Sequence, residues 1–256
     1  HRLSSLQGTK NIVEMLHRQG RMHPSICEFV NRNYYNGGLD AVPLPHQQEP
    51  LAFGTRPDDD RWTAFVGGTR MAFISVQADE AEYYTKIESK QEQTELAQSL
   101  PSVGDSSKSN KREAETVARL VHTLCQLHSR SGIPFSPCKQ IGIIVPFRAQ
   151  IAMIRKALAE RHIPDTADIT IDTVERYQGS QRDIIIFSTT VSHPYQLSIL
   201  SEPIMTDGRE IDRKLNVALT RARKQFFMTG NETLLRNCTA YREFLDFLSK
   251  EQILRL

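Results

Sequence analysis

The 256-residue sequence lacks long hydrophobic runs and has almost no net charge. No stretch approaches the roughly 20 consecutive apolar residues of a membrane-spanning helix, so we expect no membrane partner. The 32 Lys and Arg residues exceed the 30 Asp and Glu residues by only +2. A basic field over the whole surface is therefore excluded as an argument for nucleic-acid binding, which would have to depend on local patches.

Cysteine is scarce, and no two cysteines form a Cys-x-x-Cys pair. This spacing favours neither a zinc site nor a disulfide framework, so we expect no metal site. A reducing intracellular compartment, cytoplasmic or nuclear, is the simplest interpretation. We also expect all the thiols to be buried and chemically inert. They belong to Cys27, Cys125, Cys138 and Cys238.

The sequence does contain a regular alternation of apolar runs and helical patterns. The runs are nearly continuous, as in strands buried on both faces of a parallel sheet. They are Met71–Val76, Ile141–Val145, Ile169–Thr173, Ile184–Thr190 and Phe226–Thr229. The helical patterns are Ser25–Tyr35, Glu113–His128, Ala149–Arg161, Arg213–Arg223, Glu232–Arg236 and Tyr241–Glu251. Strands alternating with helices predict an α/β domain with a parallel sheet, here one domain over residues 1–256.

A polar stretch, Gln77–Ser109, interrupts the alternation. It is rich in Glu, Gln, Ser and Lys and has no strand pattern. We predict an insertion that is partly helical over Ala81–Leu96 and flexible over Pro101–Asn110. An element that binds a partner is the alternative to a solvated loop, and the composition favours the loop.

Three short segments carry residues suited to phosphate or nucleic-acid chemistry, and the first is residues 19–24. Pro24 marks a helix start. Arg21, just before it, would project a planar, permanently charged guanidinium into the loop. A surface arginine paired with a carboxylate is the ordinary alternative for a single residue of this kind.

The second segment, residues 173–183, joins two predicted strands and should reach the edge of the sheet, where α/β folds bind ligands. Gly179 allows the backbone to approach a ligand closely. Gln178 and Gln181 offer amide groups, and Thr173 offers a hydroxyl. A plain polar loop between strands is the alternative.

The third segment, residues 214–223, has the pattern of an amphipathic helix. Asn216, Thr220 and Arg223 would share one face of that helix. Arg221 would lie near its carboxyl end, where the helix dipole alone favours a cation. The dipole does not explain why Asn, Thr and two Arg residues accompany the buried face.

These segments, in this order, resemble the late motifs of superfamily 1 helicases. The resemblance is to the group that contains the nonsense-mediated-decay helicase and the replication-associated nuclease-helicases. It is carried by residues 19–24 (QGRMHP), 177–183 (YQGSQRD) and 215–223 (LNVALTRAR). Weaker matches are residues 110–114 (NKREA) and 141–147 (IGIIVPF) with Gln150. The resemblance covers nearly the whole chain and implies a RecA-like parallel sheet flanked by helices, the second motor domain of a helicase.

In this group two RecA-like domains bind ATP between them, and the second domain supplies arginines. The resemblance implies that Arg21 and Arg221 are aimed at the γ-phosphate, where a guanidinium can contribute about 10³–10⁵-fold in rate. Two positions depart from the pattern, since Gln181 stands where many relatives have Glu and Gly20 where they have Tyr or Phe. The further nucleotide contacts that the resemblance implies are Gln19, Gly179, Gln181 and Arg223.

Single-stranded DNA or RNA crosses both domains in this group. Gripping that is independent of sequence needs phosphate contacts and some base stacking. Phe147 could stack on a base, and packing inside the protein is its alternative. Arg148 is a further candidate phosphate contact. The positions that the resemblance places along the nucleic acid are Pro146, Phe147, Thr173, Val174 and Asn216.

The sequence has no G-x-x-x-x-G-K-[ST] loop and no acidic pair after an apolar strand ahead of Arg21. It also begins at His1 rather than Met. We therefore expect that a preceding RecA-like domain holds ATP and Mg²⁺, and that this chain alone binds no cofactor tightly, hydrolyses no ATP and unwinds no duplex. A nucleic-acid-binding or scaffolding protein with a degenerate motor is the alternative, which the intact Arg21 and Arg221 disfavour. A non-helicase α/β nucleotide-binding domain is disfavoured because no Gly-rich turn follows the first strand.

Overall fold

The five apolar runs form five strands of one six-stranded parallel sheet. A computed structural model describes residues 17–51, 53, 55–77, 108–177, 180–206 and 208–256. The strands are β1 (Arg18–Gln19), β2 (Asp40–Ala41), β3 (Met71–Ser75), β4 (Ile141–Val145), β5 (Thr170–Thr173), β6 (Arg182–Ser188), β7 (Pro203–Thr206), β8 (Arg209–Asp212), β9 (Ala222–Gly230) and β10 (Ile253–Arg255). The sheet has the order β10-β3-β9-β6-β4-β5, and all its neighbouring strands are parallel. Two short pairs lie outside it, namely β1 with β2 and the hairpin of β7 and β8.

Helices cover both faces of this sheet. They are α1 (Pro24–Tyr34), α2 (Pro45–Gln48), α3 (Arg61–Gly68), α4 (Lys111–Arg130), α5 (Pro137–Gln140), α6 (Arg148–Glu160), α7 (Leu197–Leu200), α8 (Arg213–Thr220), α9 (Glu232–Leu235) and α10 (Thr239–Phe247). One hydrophobic cluster joins the sheet to α1, α8 and α10, and a second joins it to α3, α4 and α6. The predicted parallel sheet flanked by helices is therefore confirmed.

Alternation along the strands explains why each apolar run is nearly continuous. In β3, Phe73 belongs to the first cluster, whereas Ala72 and Ile74 belong to the second. Successive side chains of a strand face opposite sides of the sheet, so a strand covered on both faces needs apolar residues at every position.

The largest departure from the sequence prediction concerns the third segment. The helix ends at Thr220, and β9 begins at Ala222, which pairs with Arg182 of β6. Arg223 therefore lies on a strand, and the predicted helical face shared by Asn216, Thr220 and Arg223 is wrong. Pairing with β6 satisfies backbone groups that a longer helix would otherwise have used, so tertiary context overrides the local helical pattern.

Two further predictions about the chain differ from the structure or lie outside it. Only Cys27 is buried, whereas Cys125, Cys138 and Cys238 are partly exposed, so the prediction of four buried thiols is wrong for three. Most of the predicted insertion, residues 78–107, lies outside the described residues, as do Gln178 and Gly179 of the second segment.

Candidate nucleotide and nucleic-acid site

The amino ends of β6 and β9 bring the three predicted segments together. The backbone N–H of Arg182 donates to the carbonyl of Arg221 at 3.1 Å. The backbone N–H of His23 donates to the carbonyl of Arg223 at 2.8 Å. These bonds tie the loop before α1 to the start of both strands, so that Arg21, Gln181, Arg221 and Arg223 lie in one region.

Gln19 shapes the loop that carries Arg21. Its side-chain oxygen accepts from the backbone N–H groups of Arg21 at 2.9 Å and Met22 at 2.7 Å. Its amide nitrogen donates to the carbonyl of Met22 at 3.0 Å, and the buried Gln47 donates to that same carbonyl at 2.8 Å. The carboxamide of Gln19 is thus occupied by backbone groups, and it fixes the turn from which Arg21 projects.

Arg21 contacts the residue that precedes Arg221 in the chain, and the charges of the two arginines interact. Arg21 donates through Nε to Gln181 Oε1 at 2.8 Å and through one terminal nitrogen to the carbonyl of Thr220 at 2.9 Å. Desolvation by burial and then the neighbouring charge of Arg21 lower the pKa of Arg221. The Nε atom of Arg221 is buried and has no hydrogen-bond partner among the described residues.

No described acidic residue forms an ion pair with either of these two guanidinium groups. Bringing two like charges together in a partly desolvated place is unfavourable unless an anion compensates them. The pair therefore has the electrostatic character of an anion-binding site.

Arg223 differs from this pair because its charge is already compensated. Its guanidinium lies 3.3 Å from Asp183 Oδ1. Lys224 also approaches Asp183, at 3.7 Å, and forms a closer pair with Glu49 at 2.7 Å. The sequence reasoning grouped Arg223 with the nucleotide contacts, whereas the structure places it in a charged cluster beside the uncompensated pair.

The residues predicted to contact nucleic acid lie mainly at the opposite, carboxyl edge of the sheet. Val145, the last residue of β4, pairs with Thr173, the last residue of β5. Pro146 and Phe147, which follow β4, therefore lie next to the end of β5 and so to Thr173 and Val174. Arg148 is the first residue of α6 and is exposed.

Burial limits what these side chains can offer to a ligand. Phe147 is 5% exposed, Val174 3% and Thr173 9%. The ring of Phe147 is thus packed inside the protein, as the alternative interpretation expected, and it presents no open face to a base. Contacts at this edge would come from backbone groups and from Arg148.

Helix α8 connects the two ends of the sheet. It begins at the carboxyl side, where Asp212 Oδ1 accepts from the backbone N–H of Leu215 at 2.6 Å, and it ends at Thr220 beside Arg21. Asn216 lies in its first half, and its Oδ1 atom is buried with no hydrogen-bond partner in the part of the chain that the structure describes. The helix thus joins one predicted nucleic-acid contact to the arginine pair.

The sequence reasoning assigned no role to Glu113, although it noted the surrounding 110–114 motif. This carboxylate is fully buried and accepts from the hydroxyls of Ser188 at 2.9 Å and Thr229 at 2.8 Å, and from the backbone N–H of Thr190 at 3.0 Å. Thr190 has a positive φ of 62°, which is strained for a β-branched residue. Glu113 therefore holds together the carboxyl ends of β6 and β9.

Gln150 extends this network to α6. It donates to the carbonyl of Asn110 at 3.0 Å and accepts from the N–H of the same residue at 2.7 Å. Burial raises the pKa of Glu113 to about 7, and the hydrogen bonds from the strand ends partly oppose that rise.

Within the described ranges, no three His, Cys, Asp or Glu side chains form a cluster that could hold a metal ion. No helix in those ranges combines the length and the apolar character needed to cross a membrane.

Comparison with known proteins gives a consistent result. Residues 1–233 match the family described as AAA domain. The chain is 33% identical over 147 residues to the putative helicase MOV-10 of Gallus gallus, which covers 56% of this chain and 15% of that protein. It is 28% identical over 234 residues to the DNA polymerase alpha-associated DNA helicase A of Saccharomyces cerevisiae, covering 90% of this chain and 29% of that protein. A regulator of nonsense transcripts 1 homolog of Arabidopsis thaliana is 30% identical over 222 residues, covering 85% and 14%. The chain thus spans less than a third of the length of these relatives.

Proposed function

We propose, since the chain belongs to the AAA domain family and, within it, to the superfamily 1 helicase group, that it is the second motor domain of an ATP-dependent helicase or translocase. In this proposal a preceding RecA-like domain binds ATP and Mg²⁺. This chain contributes Arg21 and Arg221 to the γ-phosphate and one half of a track for single-stranded DNA or RNA. Such a motor would work inside the cell.

The observation that carries this proposal is the uncompensated arginine pair. Arg21 lies close enough to Arg221 for its charge to lower the pKa of that residue, and the buried Nε of Arg221 has no hydrogen-bond partner among the described residues. A triphosphate supplies the negative charge that this pair lacks. Preorganised cations that face a transferring phosphoryl group stabilise the charge that develops on it, which is usually the largest contribution to catalysis.

The structure supports the remaining predicted nucleotide contacts to different degrees. Gln181 holds Arg21 through a 2.8 Å bond, so its first role in the proposal is to orient that guanidinium. Gln19 acts on the same arginine through the backbone turn. Arg223, already paired with Asp183, would contribute less to the phosphate than Arg21 or Arg221. Gly179 remains a predicted nucleotide contact.

The carboxyl edge of the sheet supports the nucleic-acid part of the proposal. Thr173 ends β5, and Pro146 follows the adjacent parallel strand β4. The exposed Arg148 supplies a positive charge at this edge. Phosphate contacts of this kind give binding that does not depend on base sequence.

The proposal is tested with matched arginine variants of the full-length protein. Arg221→Ala should lower the ATP hydrolysis rate by about 10³-fold or more and leave the affinity for a single strand little changed. Arg223→Ala is the matched control, because its charge is compensated, and it should lose much less activity. The measurements are steady-state phosphate release and fluorescence anisotropy with a labelled single strand.

Three outcomes would contradict the proposal. Persistent hydrolysis with collapsed strand binding in Arg221→Ala would mean that this residue is misassigned. Equal losses in both variants would remove the distinction between the two arginines. Robust ATP turnover by the 256-residue chain alone would refute the need for a preceding domain. A degenerate motor would instead show no hydrolysis even in the unmodified full-length protein.

A further inference from the structure

Two aromatic rings form an exposed stack just beyond the carboxyl end of β6. The rings of His193 and Tyr195 are 5.6 Å apart between centroids, and their planes differ by 11°. Tyr195 is 54% exposed, although most large apolar side chains of the described residues are buried. An open aromatic face of this kind is able to stack on another planar ring.

The backbone around the two rings is held in place by hydrogen bonds. The side-chain oxygen of Gln196, a residue that is only 1% exposed, accepts from the backbone N–H groups of Ser192 at 2.7 Å and His193 at 2.8 Å. The hydroxyl of Ser198 donates to the carbonyl of Tyr195 at 2.8 Å. The stack is therefore presented by an ordered turn, so binding on it would cost little ordering entropy.

The same turn is connected to the proposed track. Lys214 donates to the carbonyl of Ile199 at 2.8 Å and lies 3.4 Å from Glu175 Oε1. Glu175 directly follows Thr173 and Val174, two of the residues proposed to lie along the strand. The aromatic turn and the proposed track are thus joined through one lysine.

Charge and burial favour nucleic acid as the occupant. Arg148, Arg176 and Arg213 are exposed at the start of α6, in the turn after β5 and at the start of α8, respectively. Phe147, which the sequence suggested for base stacking, is only 5% exposed. The carboxyl edge therefore offers phosphate-binding charge, and Tyr195 offers the ring face that Phe147 does not.

We propose that Tyr195, supported from behind by His193, stacks on a base of the single strand that passes the Thr173–Val174 turn. This inference rests on the proposed function. Because every base has a π face, the contact would add affinity without sequence preference.

The test uses the full-length protein and fluorescein-labelled oligo(dT) and oligo(U) of roughly 12 nucleotides, within the usual site size of single-strand binders. Tyr195→Ala should weaken binding about 10-fold, whereas Tyr195→Phe, which keeps the ring, should bind almost as the unmodified protein does. Met205→Ala is the matched control, since Met205 is 68% exposed and lies on the neighbouring β7 strand. Fluorescence anisotropy at low ionic strength gives the affinities.

A second readout does not depend on a variant. An oligonucleotide that carries 5-iodouridine should, on irradiation, cross-link to Tyr195 of the unmodified protein, and peptide mass spectrometry should locate the bond.

The outcomes separate this inference from the function on which it rests. Unchanged affinity in Tyr195→Ala, with cross-links elsewhere, would overturn the stacking role and leave strand binding intact. Equal losses in Tyr195→Ala and Met205→Ala would also overturn it, and would indicate a general apolar surface suited to a protein partner. If the unmodified full-length protein binds neither oligonucleotide, the proposed track fails, and the stacking role fails with it.

Discussion

The buried carboxyl group of Glu113 predicts an unusual pH dependence of folding stability. Desolvation raises its pKa from an ordinary 4.5 to about 7. The hydroxyls of Ser188 and Thr229 and the backbone N–H of Thr190 oppose that rise without cancelling it. The folded protein therefore keeps this proton over a range in which the unfolded chain has lost it.

The sign and the size follow from proton linkage. Between pH 4.5 and 7 the folded state binds more protons at this site than the unfolded state does, so stability falls as the pH rises. Below the lower value both states are protonated, and above the upper value both are ionised. The full change corresponds to about 3 kcal/mol, since each pKa unit is worth about 1.4 kcal/mol.

Glu113→Gln is the perturbation that isolates this effect. The amide has a similar shape but no proton to lose, so the variant lacks this dependence on pH. As the pH rises from 4.5 to 7, the unfolding free energy of the unmodified chain should therefore fall relative to that of the variant by up to about 3 kcal/mol. The pKa of His23 is lowered to about 4, mainly by burial, and it gives a trend of opposite sign between pH 4 and 6.5. That trend is present in both proteins and cancels in the comparison.

Urea unfolding followed by circular dichroism at closely spaced pH values measures the effect. Glu115→Gln is the matched control, because Glu115 lies on the same helix, is exposed and forms a surface ion pair with Lys111. Its profile should run parallel to that of the unmodified chain. The reasoning is refuted if the Glu113→Gln profile does so too.

Two further predictions concern packing and thiol chemistry. Gly142→Ala should destabilise the fold by about 1–3 kcal/mol, because a Cβ at that position would collide with the hydroxyl of Tyr177. Tyr177→Phe should restore part of the loss, since that hydroxyl is buried with no hydrogen-bond partner among the described residues. Thermal melting of the single and double variants measures this, and additive losses would contradict it. The thiol of Cys125 should react slowly with iodoacetamide at neutral pH, because burial raises its pKa to about 11. Peptide mapping against pH checks this, and a reaction rate that levels off near pH 9 would contradict it.

The sheet could be predicted from the sequence because its strands are buried on both faces. Met71–Ser75 and Ile141–Val145 appear as unbroken apolar runs that few other structures require. The strand β10 could not be predicted, since three residues at the end of the chain are too few to show a pattern. The boundary between α8 and β9 was misplaced because Ala222 suits the buried face of a helix as well as a strand, and only pairing with β6 decides between them.

The candidate site was predictable to the level of residue type and order. The motifs named the arginines that the structure brings together, but they could not show which of them is compensated. Asp183 neutralises Arg223 because parallel pairing of β6 and β9 places their first residues side by side. The burial of Phe147 and the exposure of Tyr195 likewise depend on tertiary packing, which local pattern does not encode.

The two halves of the proposed function share one rigid element. Helix α8 has eight residues, so it spans about 12 Å between the capping bond of Asp212 and the carbonyl of Thr220 that receives Arg21. Lys214, in its first turn, contacts Glu175 next to the proposed track. A shift of α8 therefore moves the track side and the arginine side together, because a packed helix is displaced as a unit. Under the proposed function, binding of a strand and closure on a nucleotide would bias the position of the same helix, and this is the physical coupling that a translocating motor requires.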